Sequence, residues 1–207
     1  MNPATVTLTG YRYSIYTRIA RMVLEEKGVT FAQIEADPFS PPLPRNHPHP
    51  FGRVPVLSHG SFTVYETSAI TRYVDLAFAG PSLVPPDPRA AARTAQVISI
   101  ADAYAFRPLV LQVYAHRVFR PLEGLAPDEA QIAQGLSAAP TVLAALDAIA
   151  REGLALSGSD ITLADCHLAP MIGAFALAAE GATSLASLPN LSRWWRWVKL
   201  RPSLSAP

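Results

Sequence analysis

The sequence predicts an α/β domain followed by an all-α domain. Three observations lead there. Up to about residue 80, short β-forming runs are interspersed with helix-length amphipathic runs. The stretch Gly80-Pro81-Ser82-Leu83-Val84-Pro85-Pro86-Asp87-Pro88 then interrupts the chain. From Arg89 onward, no segment reads convincingly as a strand. The expected division is residues 1–80, a linker at 81–88, and an all-helical domain at 89–207.

In the first domain, Thr5-Val6-Thr7-Leu8-Thr9 alternates and is rich in β-formers, so it is the first strand. Ser14 opens a helix. Ile15, Ile19, Met22 and Val23 recur at helical spacing, and Gly28 closes it. Val29 to Glu35 is a second strand, parallel to the first because a crossover helix separates them. The span from Asp37 to Pro50 holds six prolines, which forbid a long regular helix. His47 and His49 lie there, flanked by proline and with no third ligand nearby, so no metal site is expected.

Phe51 to Tyr73 then reads as strand, hairpin, strand and helix. The turn is Ser58-His59-Gly60-Ser61, and Ile70, Val74, Ala77 and Phe78 form the buried helix face. This order of elements is a thioredoxin-like plan without the C-x-x-C of redox members. In the second domain, Ala90 to Phe119 is a long helix with a kink at Pro108, and Asp128 to Arg151 is another, irregular near Pro140. Thr162 and Asp165 form a capping-box start. The helix that follows buries Leu168, Met171, Ile172 and Phe175. Pro189 to Val198 begins the last substantial helix, which stops before Pro202.

The chemistry concentrates at Phe51–Tyr73. Pro55 sits at the entry of a strand, where a missing N–H is tolerated and a cis peptide bond costs little. A cis bond there would turn the backbone of Val54 toward an extended peptide. Glu66, Thr67 and Ser68 end a strand and open a helix. Their hydroxyl and N–H groups suit a carboxylate, helped by the helix dipole, and Glu66 suits an ammonium. The ligand implied is a small peptide with both charges at one end. If it carries a thiol, the donor that stabilises the thiolate belongs at the mouth of the first helix, among Tyr11, Tyr13, Ser14 and Thr17.

Gly52-Arg53-Val54-Pro55-Val56-Leu57 and Glu66-Thr67-Ser68-Ala69-Ile70 resemble paired motifs of the cytosolic glutathione transferase superfamily, with Thr67 in place of the usual serine. The loop Gly10-Tyr11-Arg12-Tyr13-Ser14-Ile15-Tyr16-Thr17-Arg18 resembles that of serine-type, bacterial members. The resemblance extends to the capping box and to the Pro189–Pro202 segment, and it departs at 37–50, where the family has its second helix.

The resemblance implies a glutathione-transferase-like fold: a thioredoxin-like α/β domain followed by an all-α helical domain. It implies glutathione as co-substrate, and conjugation to an electrophile in a detoxification role. Ser14 is the expected thiolate donor, with Tyr11 and Tyr13 as alternatives. Arg53, Val54, Pro55, Glu66 and Thr67 are the expected glutathione contacts; Arg45, His47 and Arg53 are the cations for its glycine end, with Arg53 first. The electrophile pocket is expected between the domains, with Tyr11, Arg12 and Phe39 on one wall and Tyr104, Phe106, Arg107, Leu111 and Tyr114 on the other. A homodimer is implied as well. The alternatives are a glutathione-dependent isomerase, lyase or peroxidase, or a binding protein without turnover.

Composition narrows the class. A net charge of +1 gives no electrostatic case for nucleic acid. One cysteine excludes an intrachain disulfide and suits a reducing, cytoplasmic compartment. Cys166 itself lies in an apolar helix and is expected to be buried and inert. Leu163 to Ala179 is broken by Asp165, His167 and Pro170, so it is not expected to span a membrane.

Overall fold

The computed structural model describes residues 5–39 and 48–205. They form two compact units. Unit 1 reaches to Leu83 and takes in the C-terminal segment from Pro202; unit 2 is Val84–Arg201. The division falls inside the proline-rich connector. The last residues group with unit 1, whereas the sequence suggested a second domain reaching residue 207.

Unit 1 is built on a four-stranded sheet of β1 (Val6–Gly10), β2 (Ala32–Glu35), β3 (Val56–His59) and β4 (Phe62–Tyr65), in the order β2-β1-β3-β4. β1 runs parallel to β2 and antiparallel to β3, and β3 pairs with β4 as a hairpin. The alternation in β1 buries Val6, Leu8 and Gly10. α1 (Ile15–Glu26) presents Ile15, Ile19, Met22 and Val23 inward, as its spacing requires, and all four are buried. Each such side chain contributes about 1.5–3 kcal/mol through burial.

β2 is shorter than expected, starting at Ala32 rather than Val29, and its four residues are all exposed. The hairpin turn is tighter than expected. Ser58 pairs with Thr63 and His59 with Phe62, which leaves Gly60-Ser61 as the turn, with Gly60 at φ 60. α2 (Thr67–Ala77) buries Ile70 and Val74, but Ala77 is exposed. Phe78 lies past the helix end, so the helical period no longer directs it; its ring lies 4.9 Å from that of His59.

A buried ion pair locks this unit. The Lys27 ammonium lies 3.4 Å from Asp75 Oδ1 and donates to the carbonyls of Asp75 (3.1 Å) and Pro81 (2.9 Å). Asp75 in turn accepts from the Leu83 N–H at 2.8 Å. The pair thereby ties the end of α1 and α2 to the last residues of the unit.

In unit 2, α3 (Pro88–Ile100) continues without a break into a wide π-pitched segment, Ala101–Phe119, and a final turn, α4 (Arg120–Leu122). The segment stays helical through Pro108. A proline ring clashes with the carbonyl of residue i−4 in an α-helix, and a wider turn moves that carbonyl away. α5 (Glu129–Glu152) runs straight through Pro140 and ends at Gly153 in the left-handed conformation, φ 77. α6 (Leu163–Ala176) buries Leu168, Met171, Ile172 and Phe175, together with Cys166 and His167. α7 (Ala179–Ala186) and the short α9 (Pro202–Ser205) have no counterpart in the sequence reading; α8 (Pro189–Val198) does. α9 belongs to unit 1, where the Ser203 hydroxyl donates to the Glu26 carboxylate. Among the described helices, α5 is long and apolar enough to cross a bilayer. Here its face of Ile132, Leu143, Leu146 and Ile149 is buried within unit 2.

Candidate active site

The strand register gathers the site at one end of the sheet. Thr9 pairs with Val56, and Val56 with Tyr65. The residues just beyond this row are the loop from β1 into α1, the Val54–Pro55 segment that enters β3, and the Glu66–Thr67 junction that leaves β4. All three belong to unit 1.

Ser14 is the N-cap of α1, with φ −72 and ψ 121. Its Oγ accepts from the Thr17 N–H at 3.3 Å, and its own N–H donates to the Tyr11 carbonyl at 2.9 Å. The hydroxyl proton of a serine in this role remains available to an outside acceptor. Beneath it, Gly10 lets α1 approach the strand closely: a Cβ there would meet Thr17 Cγ2 at 2.3 Å. The loop that leads into Ser14 also carries an aromatic cluster. Tyr11 packs edge-on against Tyr13, with centroids 5.4 Å apart, and against Phe39 at 6.2 Å. Phe39 is 80% exposed. Arg12 is held away by β2, its N–H and Nε both donating to Glu35 Oε1, at 3.1 and 3.3 Å.

The Val54–Pro55 bond is cis, Val54 is half-buried and Pro55 buried. Arg53 is exposed. Glu66 takes φ 68, a left-handed conformation for a non-glycine residue. Outliers of this kind cost about 1–3 kcal/mol and concentrate at ligand sites. Glu66 precedes α2 without capping it by its side chain, so the carboxylate is free of the helix. Thr67 is buried and Ser68 exposed at the first turn, which carries no acidic residue.

The expected glutathione contacts therefore share one sheet end with Ser14, Tyr11 and Tyr13. Arg45 and His47 lie outside the described residues. Tyr104, Arg107, Leu111 and Tyr114 sit on the π segment of unit 2; the first three are exposed and Tyr114 is half-buried, its ring 6.4 Å from that of Phe119. Phe106 is half-buried on the same segment.

The sequence reading weighed His49 only as one of a histidine pair. In the structure it is 4% exposed, and its Nε2 lies 3.7 Å from Glu66 Oε1. The signal that could have found it is its place directly before Pro50-Phe51-Gly52, on the approach to Pro55. A separate cavity of about 680 Å³, lined by Val6, Lys27, Gly28, Phe31 and Phe78 among others, opens at the opposite end of β1, away from this site.

Elsewhere the strongest perturbations belong to stability. Asp165 caps α6, accepting from the Thr162 N–H (2.7 Å), the Thr162 hydroxyl (2.6 Å) and Trp194 Nε1 (2.6 Å). Burial pushes its carboxyl up, against the pull of these donors. This is the cap, not the acid, that its position suggested. Burial also lowers the His167 pKa to about 4, so the ring is neutral near pH 7.

With this geometry in view, the relatives are informative. Residues 8–82 match the family model for the glutathione S-transferase N-terminal domain, and residues 129–196 the one for the C-terminal domain. The chain belongs to the glutathione transferase superfamily. It is 31% identical over 159 residues to a glutathione S-transferase of Arabidopsis thaliana, an alignment covering 75% of this chain and 62% of that protein's length. To glutathione S-transferase 4 of Zea mays it is 29% identical over 210 residues, covering 98% and 92%.

Among solved structures, glutathione S-transferase III in apo form superposes with a TM-score of 0.83 at 28% identity, covering 98% of this chain and 94% of that one. The theta-class enzyme of Xanthomonas axonopodis pv. citri, with glutathione bound, gives 0.78 at 27%, covering 98% and 96%. The curated relatives named here are plant proteins, so the bacterial branch suggested by the sequence finds no support among them.

Proposed function

We propose that this chain is a glutathione transferase of the serine type, which binds reduced glutathione in unit 1 and adds its sulfur to an electrophilic carbon. The observation that carries this is the convergence of two helix N-termini and Glu66 at one end of the sheet. Glu66 takes the α-ammonium of the γ-glutamyl group, and Thr67 and Ser68 with the mouth of α2 take its carboxylate. The Val54 backbone pairs with the cysteinyl portion, and Arg53 takes the glycine carboxylate.

The sulfur then meets the Ser14 hydroxyl. A free thiol with pKa ~8.5 is only ~3% thiolate at pH 7. A donated hydrogen bond and the α1 dipole need to supply ~2.7 kcal/mol to lower that by ~2 units. The proton leaves to solvent, and the thiolate forms the C–S bond while the electrophile's leaving group departs or its double bond takes the electron pair. Tyr11 and Phe39 offer aromatic surface to that electrophile. A cytoplasmic homodimer is part of the same proposal, which light scattering tests.

Ser14→Ala tests the chemistry, with an aryl halide as electrophile. The expected result is a fall in kcat/KM of about 100-fold and a higher thiol pKa in the pH–rate profile. An unchanged profile, with a shift instead in Tyr11→Phe or Tyr13→Phe, would transfer the role to a tyrosine. Absence of calorimetric heat with millimolar glutathione would overturn the enzyme reading.

A further inference from the structure

We infer that His49 is a positioning residue that sets the Glu66 arm of the glutathione grip; the inference rests on the proposed role of Glu66. Several contacts converge on this side chain or its backbone. Its Nδ1 accepts from the Phe51 N–H at 3.2 Å, and its carbonyl accepts from the Gly52 N–H at 3.0 Å. His49 thus closes the turn that delivers Arg53, Val54 and Pro55 to the site. Its ring lies against Tyr65, at 4.9 Å, the residue that leads into Glu66. The other nitrogen, Nε2, faces Glu66 Oε1 at 3.7 Å.

The tautomer follows from the first of these contacts. A ring nitrogen that accepts a hydrogen bond bears no proton, so the N–H of the neutral ring is at Nε2 and points at the carboxylate. At 3.7 Å this is electrostatic attraction short of a hydrogen bond. The asymmetry of burial gives it meaning. The imidazole is 3% exposed and fixed, whereas the Glu66 side chain is 61% exposed. A glutamate loses rotamer freedom when it is immobilised, at a cost in free energy. A fixed N–H behind it narrows its rotamers before the ligand arrives, and that saving appears as affinity. His49 acts on the ligand through Glu66 and stands apart from the sulfur; the turn keeps its backbone bond from the Gly52 N–H to the His49 carbonyl whatever side chain stands at 49.

The test uses three variants and two thiols. His49→Phe keeps the ring packing and removes both nitrogens. His49→Gln places an N–H donor near the Nε2 position. Glu66→Gln removes the proposed ammonium partner. In His49→Phe the calorimetric Kd and the KM for glutathione rise about 5- to 10-fold, the worth of one preorganising contact, while kcat at saturating glutathione and the KM for the aryl halide stay within twofold. His49→Gln restores most of the affinity. With N-acetylglutathione, whose amine carries no charge, His49→Phe and the parent bind alike. His49→Phe combined with Glu66→Gln is no worse than Glu66→Gln alone.

An unchanged Kd in His49→Phe, or an equal loss toward N-acetylglutathione, overturns the inference while leaving the glutathione site standing. An unchanged Kd in Glu66→Gln instead overturns the reading of Glu66, and with it this inference. A drop in kcat with unchanged KM would also overturn it, since preorganisation of Glu66 acts on binding.

Discussion

The helices of the two units begin differently. In unit 2, carboxylates close the N-termini of α3, α5, α6 and α8. Asp87 accepts from the N–H groups of Arg89 and Ala90 ahead of α3, and Asp128 from those of Ala130 and Gln131 ahead of α5. Asp165 caps α6. Leu188 precedes α8 with no side-chain cap of its own, so Asp147 reaches across from α5 to take the N–H groups of Asn190 (2.9 Å) and Leu191 (2.8 Å). In unit 1, α1 has a single serine oxygen at 3.3 Å, α2 has no side-chain cap, and neither has an acid in its first turn. A helix start attracts negative charge wherever it occurs. In α3, α5, α6 and α8, unit 2 answers that demand from its own sequence; in α1 and α2, unit 1 leaves it largely open, as the proposed thiolate and carboxylate contacts require.

The sharpest break of this contrast removes a cap that is wholly internal. Asp165→Ala strips three donors of their acceptor, including the buried indole of Trp194. The expected loss of stability is about 3–5 kcal/mol, since each buried donor left without an acceptor costs about 1–3 kcal/mol. Urea unfolding measures it. A loss below about 1 kcal/mol would show that this cap is no stronger than an exposed one.

His167, the second buried titratable group of α6, gives unit 2 a pH dependence. Its folded pKa of about 4 lies below the ordinary 6.5. A depressed base resists protonation in the folded state, so the unfolded chain takes up the proton first. Stability from this residue is therefore full above pH 6.5 and lost progressively as pH falls from 6.5 to 4. The whole window is worth about 3 kcal/mol. Denaturation midpoints for His167→Gln across that window should lose this part of the slope; a parallel pair of curves would show that His167 does not report acid sensitivity.

Close backbone approach occurs in both units and separates them again. In unit 1, Gly10 lets α1 press against β1 beneath Ser14. In unit 2, a Cβ at Gly135 would lie 2.7 Å from the Pro108 carbonyl and 2.8 Å from Val113 Cγ2, where α5 crosses the π segment. Gly135→Ala should cost about 1–3 kcal/mol of stability, with the glutathione Kd unchanged. Gly10→Ala, by contrast, should disturb Ser14 and lower kcat as well.

What was legible in the sequence follows the same division. Periodicity located the face of α1, where Ile15, Ile19, Met22 and Val23 are buried; in α6, buried on almost every side, apolar composition rather than a period marked Leu168, Met171, Ile172 and Phe175. Local chemistry marked Ser14, Pro55, Glu66 and the Thr162–Asp165 box, since each signal lies within a few residues of its effect. Contacts across long separations were invisible. No local pattern tells that Asp147 serves α8, that Trp194 donates to Asp165, or that His49 stands behind Glu66. α9 escaped because four residues give too short a period, and its place in unit 1 rests on the tertiary contact of Ser203 with Glu26. The π segment escaped because sequence spacing assumes an α pitch, which Pro108 disfavours.

The smallest expected effect tests the contrast most directly. Ser68 is exposed in the first turn of α2, where α5, α6 and α7 of unit 2 carry an acid. Ser68→Asp supplies that acid. It should stabilise the helix by about 0.3–1 kcal/mol through the dipole and raise Tm slightly. The same carboxylate then occupies the field meant for the ligand and repels its carboxylate, so the glutathione Kd should rise about tenfold or more, near 1.4 kcal/mol. Gain and loss move in opposite directions only if the open helix start exists to bind an anion. Were Tm to rise while calorimetric affinity held constant, the bare N-terminus of α2 would be a structural accident, and the γ-glutamyl carboxylate would have to be placed elsewhere.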